Sequence, residues 1–237
     1  MIRYRSCKIA SVGVLVWVVC LLTSAGAAEI RRPDVNKMFG QTEEATIRSL
    51  RSQGPQEVFD RLKSSEFLAN RDLAYKAVYV AFGHRRAQAF AHAENCLREP
   101  LVEVVEGRYV TRVREFNMAK KVFEVFPDEA VPRLLALYQR SDAITRGNIL
   151  RAAHGIDGGP PIQSMLAQAL DDPSAAEEEG IPEQLGAPLR VCDIAYNQLV
   201  LRNGVRNVLR TISPGHKIEI RDYHISILKD RLGLDNI

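Results

Sequence analysis

Cys192 and Asp193 stand side by side in APLRVCDIAYNQLVLRNG, residues 187–204, between Arg190 and Arg202. A catalytic thiol needs a base or a positive field to become a thiolate, and an adjacent carboxylate opposes that. Arg190 offsets Asp193 in part, but no histidine shares the stretch. Cys192 therefore reads as a packing residue on the flank of a helix, away from its N-terminus, and no residue is assigned as catalytic. The five histidines, His84, His92, His154, His216 and His224, fall in no HExxH, His-x-His or Cys-x-x-Cys spacing, with His84 and His92 apart on one long helix. Metal chemistry is accordingly not expected. HGIDGGPP, residues 154–161, sets two glycines before a helix start, a place that can receive an anion. It lacks the Lys-Ser/Thr of a phosphate loop and reads as an inter-helix turn.

Charge placement supplies the binding candidates. Arg202, Arg206 and Arg210 recur every four residues, so a continuous helix would align them in one basic stripe, weakened by Gly204. Residues 171–188, DDPSAAEEEGIPEQLGAP, form an acidic loop insertion that carries Glu177, Glu178 and Glu179. Stripe and loop are candidate partner-binding surfaces, and each is a candidate counter-charge for the other.

Composition limits what the partner is. Residues 1–28 have the build of a secretory signal: cationic Arg3, Arg5 and Lys8, a 14-residue apolar run, then TSAGAA ahead of a cut after Ala27 or Ala28. The run falls short of the roughly 20 apolar residues of a membrane-spanning helix, so no stable membrane insertion is expected once the leader is cleaved. Cys20 follows Val18 and Val19, not the small residue a lipoprotein signal wants. The chain's 32 Lys and Arg exceed its 29 Asp and Glu by the leader's three cations, so the remainder is formally neutral. That argues against a nucleic-acid partner. Beyond the leader only Cys96 and Cys192 remain, too few for a disulfide framework, in a chain expected in the periplasm or outside the cell. No cofactor is implied.

The elements that position these residues are helices. After a loose lead-in over 29–41, a single helical domain over 42–237 is expected. Its helix pairs are broken at Gly54-Pro55, Gly83, Pro127 and Gly158-Gly159, and one helix is expected from about Arg108 to Phe126. Leu73, Ala77, Val78 and Ala81 stand at offsets 0, 4, 5 and 8, as do Met118, Val122, Phe123 and Phe126, then Thr145, Ile149, Leu150 and Ala153, then Val191, Ala195, Tyr196 and Leu199. Second helices put Val131, Leu134, Leu135 and Tyr138 at offsets 0, 3, 4 and 7, and Ile162, Met165, Leu166 and Ala169 likewise. Each set is one apolar face of a helix. The terminal helix turns Ile225, Leu228 and Leu232 inward and keeps Asp230 and Arg231 outside.

Over Thr42 to Leu232 this alternation resembles the HEAT-repeat family and the HEAT-like repeats of phycobilisome lyases, above all at PDEAVPRLLALYQRSDAITRGNILRAAHGI and PLRVCDIAYNQLV. Family helices often carry an arginine after the first apolar position; Arg146 fills that place after Thr145, and Cys192 takes it after Val191. First helices recur at 45, 27 and 46 residues, against a family period of about 40. The resemblance implies an all-α fold, an α-solenoid of about four to five antiparallel helix pairs with a groove. The function expected is that of an exported, non-catalytic scaffold for a protein or peptide. Two alternatives stand beside it: an enzyme or enzyme-associated subunit of the lyase type, and a structural protein tethered by an uncleaved leader.

Overall fold

A computed structural model describes residues 47–64, 67, 69–105, 108–177, 187–205 and 208–234. The signal and lead-in expected over 1–41 lie outside the described residues, as do Arg206, Glu178 and Glu179. The chain is mostly helical, as expected.

In chain order the helices are α1 (Pro55–Leu62), α2 (Arg71–Phe82), α3 (Arg86–Arg98), α4 (Val113–Val125), α5 (Pro127–Gln139), α6 (Ala143–Ala153), α7 (Gly159–Gln168), α8 (Val191–Arg202) and α9 (Ile218–Leu232). Their starts are set by local chemistry. The Asn70 side chain accepts from Leu73 N at 3.0 Å and caps α2. That of Asp142 accepts from Thr145 N at 2.8 Å and caps α6, each satisfying a donor that the first turn leaves open. Glu57 reaches back to the Gly54 N–H at 3.0 Å ahead of α1. Gly233, at φ 67°, ends α9 in the left-handed conformation. Pro132 lies in the second turn of α5.

All four first-helix sets read from the sequence face the core: Leu73, Ala77, Val78 and Ala81; Met118, Val122, Phe123 and Phe126; Thr145, Ile149, Leu150 and Ala153; Val191, Ala195, Tyr196 and Leu199 are buried. Of the second-helix sets, Ile162, Met165, Leu166 and Ala169 are buried, whereas Val131, Leu135 and Tyr138 are half-buried beside buried Leu134. These faces join one core cluster running from Ile47 to Leu228. Helix α4 packs on α2, α3 and α5, α6 on α3, α5 and α8, α7 on α5 and α8, and α9 on α8. Helix α8 is buried nearly all round, which an amphipathic reading does not foresee.

Three expectations are corrected. Residues from Arg108 do not open a helix: β1 (Val102–Val105) pairs antiparallel with β2 (Arg108–Thr111), Val102 opposite Thr111, and α4 starts only at Val113. The β-branched runs VEVV and RYVT, split by Glu106-Gly107 in the sequence, explain the hairpin. Helix α8 stops at Arg202, and Gly204 takes φ 63°, so Arg202 and Arg210 share no helical stripe. His84 precedes α3 and is not on one helix with His92. The acidic insertion is anchored where it is described: Ala176 is buried and its N–H donates to Leu189 O at 2.9 Å, while Val191 N donates to Ser174 O at 2.9 Å. Among the described residues no helix is long and apolar enough to cross a membrane.

Candidate functional site

The capped start of α6 sets Ile144, Asn148 and Arg151 on one face, at offsets that bring residues together along a helix. Across from it run Pro100, Leu101 and Val102, the corner between α3 and β1, and Ala176 with Glu177 from the insertion. Together they line a cavity of about 70 Å3. Gly147 makes this approach possible. A Cβ there would stand 2.7 Å from the Ala176 Cβ and 3.1 Å from the Ile194 Cδ1, so any side chain would push the insertion and α8 away from α6.

A polar relay runs along one wall. Buried Asn148 donates Nδ2 to Leu97 O at 3.1 Å and Glu99 O at 2.9 Å, closing the end of α3. Its Oδ1 accepts from Arg151 Nη1 at 3.3 Å. Arg151 Nη2 donates to Glu177 Oε1 at 2.7 Å, and Glu177 Oε2 accepts from Leu189 N at 3.1 Å. Burial pushes the Arg151 guanidinium below its ordinary value, while Glu177 works the other way. A carboxylate and a guanidinium thus edge an apolar cleft. Val102 on its wall is exposed.

Of the binding residues expected from sequence, Glu177 is at this cleft, paired with Arg151 and not with the arginine stripe. Arg202 points into the fold: its Nη1 donates to Ala153 O at 2.9 Å and Ile156 O at 3.2 Å, at the end of α6, and burial lowers its pKa. Arg210 is exposed, and its carbonyl accepts the Tyr196 hydroxyl at 3.0 Å.

Cys192 and Asp193 are placed differently from expectation. Cys192 is the second residue of α8, at a helix N-terminus after all, and both side chains are buried. Burial first, then the Asp193 charge, pushes the Cys192 thiol up to about 12, so the packing reading stands. Cys96 and Cys192 are both unbridged.

Asp193 belongs to a network invisible in the sequence. Arg221, itself fully buried, donates Nη1 to Asp193 Oδ2 at 2.9 Å and to Pro188 O at 2.9 Å. Its Nη2 donates to Ala187 O and Pro214 O, both at 2.7 Å, and Nε to His216 O at 2.9 Å. All five guanidinium donors are used. Arg190 holds the same carboxylate, Nη2 to Oδ1 at 2.9 Å, and reaches Asp222 at 2.6 Å. Burial alone would raise the Asp193 pKa, yet the two guanidiniums hold it below the usual value. The one signal for Arg221 was its position: it lies four and seven residues before Ile225 and Leu228, on the inward face of α9.

The histidines are dispersed. His92 lies 4.0 Å from Phe59, ring centre to ring centre, and burial lowers its pKa. His216 Nδ1 accepts from Ser213 N at 3.1 Å, and His224 meets Tyr196 edge-on. Among the described residues no three His, Cys, Asp or Glu gather as a metal site would need.

Among the described residues fold and site together give a mostly helical protein with a small hairpin, a buried ionic clasp at the start of α8 and α9, and a short apolar cleft between hairpin and insertion. Compared with known proteins, the chain matches no family model, no curated protein and no solved structure.

Proposed function

We propose that the chain is an exported, non-catalytic scaffold of HEAT-like α-solenoid type, whose cleft beneath the hairpin takes an extended protein or peptide segment. The pairing of successive helices, α4 with α5 and α5 with α6, and the recurrence of one buried offset set in α2, α4, α6 and α8 support the repeat reading.

The observation that carries the binding reading is the cleft's size and lining. A drug-sized ligand needs about 300 Å3 or more, whereas about 70 Å3 walled by Pro100, Leu101, Val102, Ile144 and Ala176 suits one short aliphatic side chain. Arg151 and Glu177 at its edge present a donor and an acceptor of the kind a peptide backbone uses. Val102, in the cleft's wall, is itself exposed, so the apolar lining opens to the surface.

Peptide display against the mature protein tests this. Binding of aliphatic-centred peptides in the micromolar range is expected, lost in Val102→Asp and kept in Arg210→Glu. Peptides that bind Val102→Asp equally well, or no selected peptide at all, would overturn the cleft as the binding face. The N-terminal mass of the exported product tests localisation: a start at Ala28 or Glu29 supports a cleaved leader, and a start at Met1 favours a tethered protein.

A further inference from the structure

A second buried carboxylate, far in sequence from the clasp, carries an excess of positive charge. Glu124, at the end of α4, has a side chain only 3% exposed. Tyr75 of α2 donates its hydroxyl to Glu124 Oε2. Lys121 Nζ donates to the same oxygen at 3.0 Å, and Lys120 Nζ stands 3.6 Å from Oε1. Arg71, one turn before Tyr75, donates Nη2 and Nε to the Tyr75 hydroxyl at 2.9 and 3.3 Å. Lys121 and Arg71 both lie over the Tyr75 ring, at 4.5 and 5.2 Å from its centre.

The carboxylate is closed from behind. A Cβ on Gly155 would stand 2.0 Å from Glu124 Oε1, so the α6–α7 turn seats its backbone directly against the acid. The cations therefore lie on the outward side, with Arg71 exposed and the two lysines partly so. Burial and the hydrogen bond to Glu124 raise the Tyr75 pKa, which keeps it a neutral donor. Among the described residues three cations thus surround one buried carboxylate, and Asp72, which also acts on Arg71, is exposed on the neighbouring α2 position. Each ammonium has three donors and the guanidinium five, more than Glu124 and Tyr75 occupy. Partly buried cations in excess of their counter-charge attract an anion with several acceptor oxygens.

We propose that Arg71, Lys120 and Lys121 form a binding site for a phosphate-type oxyanion, with Glu124 and Tyr75 acting as the anchor that holds the three cations convergent. The occupant is a free oxyanion or the terminal phosphate of a larger molecule, and the chemistry of recognition is the same. Burial lowers the Lys120 pKa, and an anion in the site reverses that effect.

The test is a titration of the full chain with inorganic phosphate against chloride at matched ionic strength, read by the Lys Nζ and Cε resonances in NMR. Saturable phosphate binding that chloride does not reproduce is expected, with the Lys120 and Lys121 resonances shifting together along the titration. Lys120→Met and Arg71→Gln should each weaken binding about tenfold, and Arg231→Gln should leave it unchanged. Should Lys120→Met unfold, Arg71→Gln decides, because Arg71 is exposed and stands outside the core cluster. Repeating the titration with glycerol phosphate separates the sources: equal affinity points to the phosphate group alone, and tighter binding to a larger ester. Phosphate and chloride acting alike, or Arg71→Gln binding as the parent does, would overturn the proposal.

Discussion

Asp193 and Glu124 are both carboxylates that the fold takes out of water, and it neutralises them in opposite ways. Asp193 faces two guanidiniums, and Arg221, the deeper of them, spends every donor on Asp193 and four backbone carbonyls. Nothing is left over, and the cluster ties α9 and the segments leading into α8 and α9 to the start of α8. Glu124 faces two ammoniums and a tyrosine backed by Arg71, whose donors outnumber those that these contacts use. A buried charge is tolerable once paired and hydrogen-bonded. Whether its partners are exhausted or in surplus separates a clasp from a surface able to take a ligand.

Removing Arg221 should have the largest effect. Arg221→Met leaves Asp193 to Arg190 alone and strands four carbonyls, and a loss of about 3–5 kcal/mol in urea unfolding is expected. Arg221→Lys should recover little of it, since an ammonium has three donors where five are used. A loss below about 1 kcal/mol would show that the clasp does not carry the C-terminal helix.

Gly155→Ala comes next, at about 1–3 kcal/mol, because the new Cβ must displace a Glu124 carboxylate already fixed by Tyr75 and Lys121. In a Glu124→Ala background most of that loss should vanish, and additive losses would mean the turn is strained for another reason.

Glu124→Gln should cost about 1–2 kcal/mol at neutral pH and sharpen the comparison in acid. Tyr75 and the lysines hold the Glu124 pKa below its ordinary 4.5 against the opposing effect of burial. The folded-state value being the lower one, its contribution is complete above about pH 4.5 and fades as pH falls through the lowered value. Asp193, held below its ordinary 3.8, behaves alike over a lower range. The variant's stability should therefore fall less steeply than the parent's between about pH 5 and 3, and parallel acid limbs would count against an ionised Glu124.

The smallest effect concerns Cys192, whose thiol reports whether the clasp opens by itself. With its pKa pushed to about 12, alkylation by iodoacetamide at pH 8 should be at least about a hundredfold slower than for an exposed thiol. It should also track global unfolding. Faster labelling with the core intact would mean that the α8 start frays independently.

Particular residues show how far the sequence was readable. Asn70 and Asp142 stood where N-caps stand, and the apolar offsets in α2, α4, α6 and α8 all proved to face the core. The hairpin was missed because VEVV and RYVT are too short for periodicity to separate from a helix start. The arginine stripe failed at Gly204, whose positive φ ends the helix that a four-residue spacing presupposes. Glu177 was singled out as a charge at the insertion, but its partner Arg151 lies 26 residues away, a distance no local pattern spans.

What the sequence by itself determined is helical identity, cap positions and buried faces, because these rest on spacing within a turn or two of chain. Tertiary structure alone decided that Arg221 would be a core residue, that Arg202 would close α6, that Glu177 and Arg151 would edge a cleft, and that three cations would gather at Glu124. Each of those depends on a partner about 26 to 53 residues away. Charged side chains are long and ambivalent toward water, so only the packed neighbours that supply or withhold their counter-groups settle whether they are buried, paired or left available.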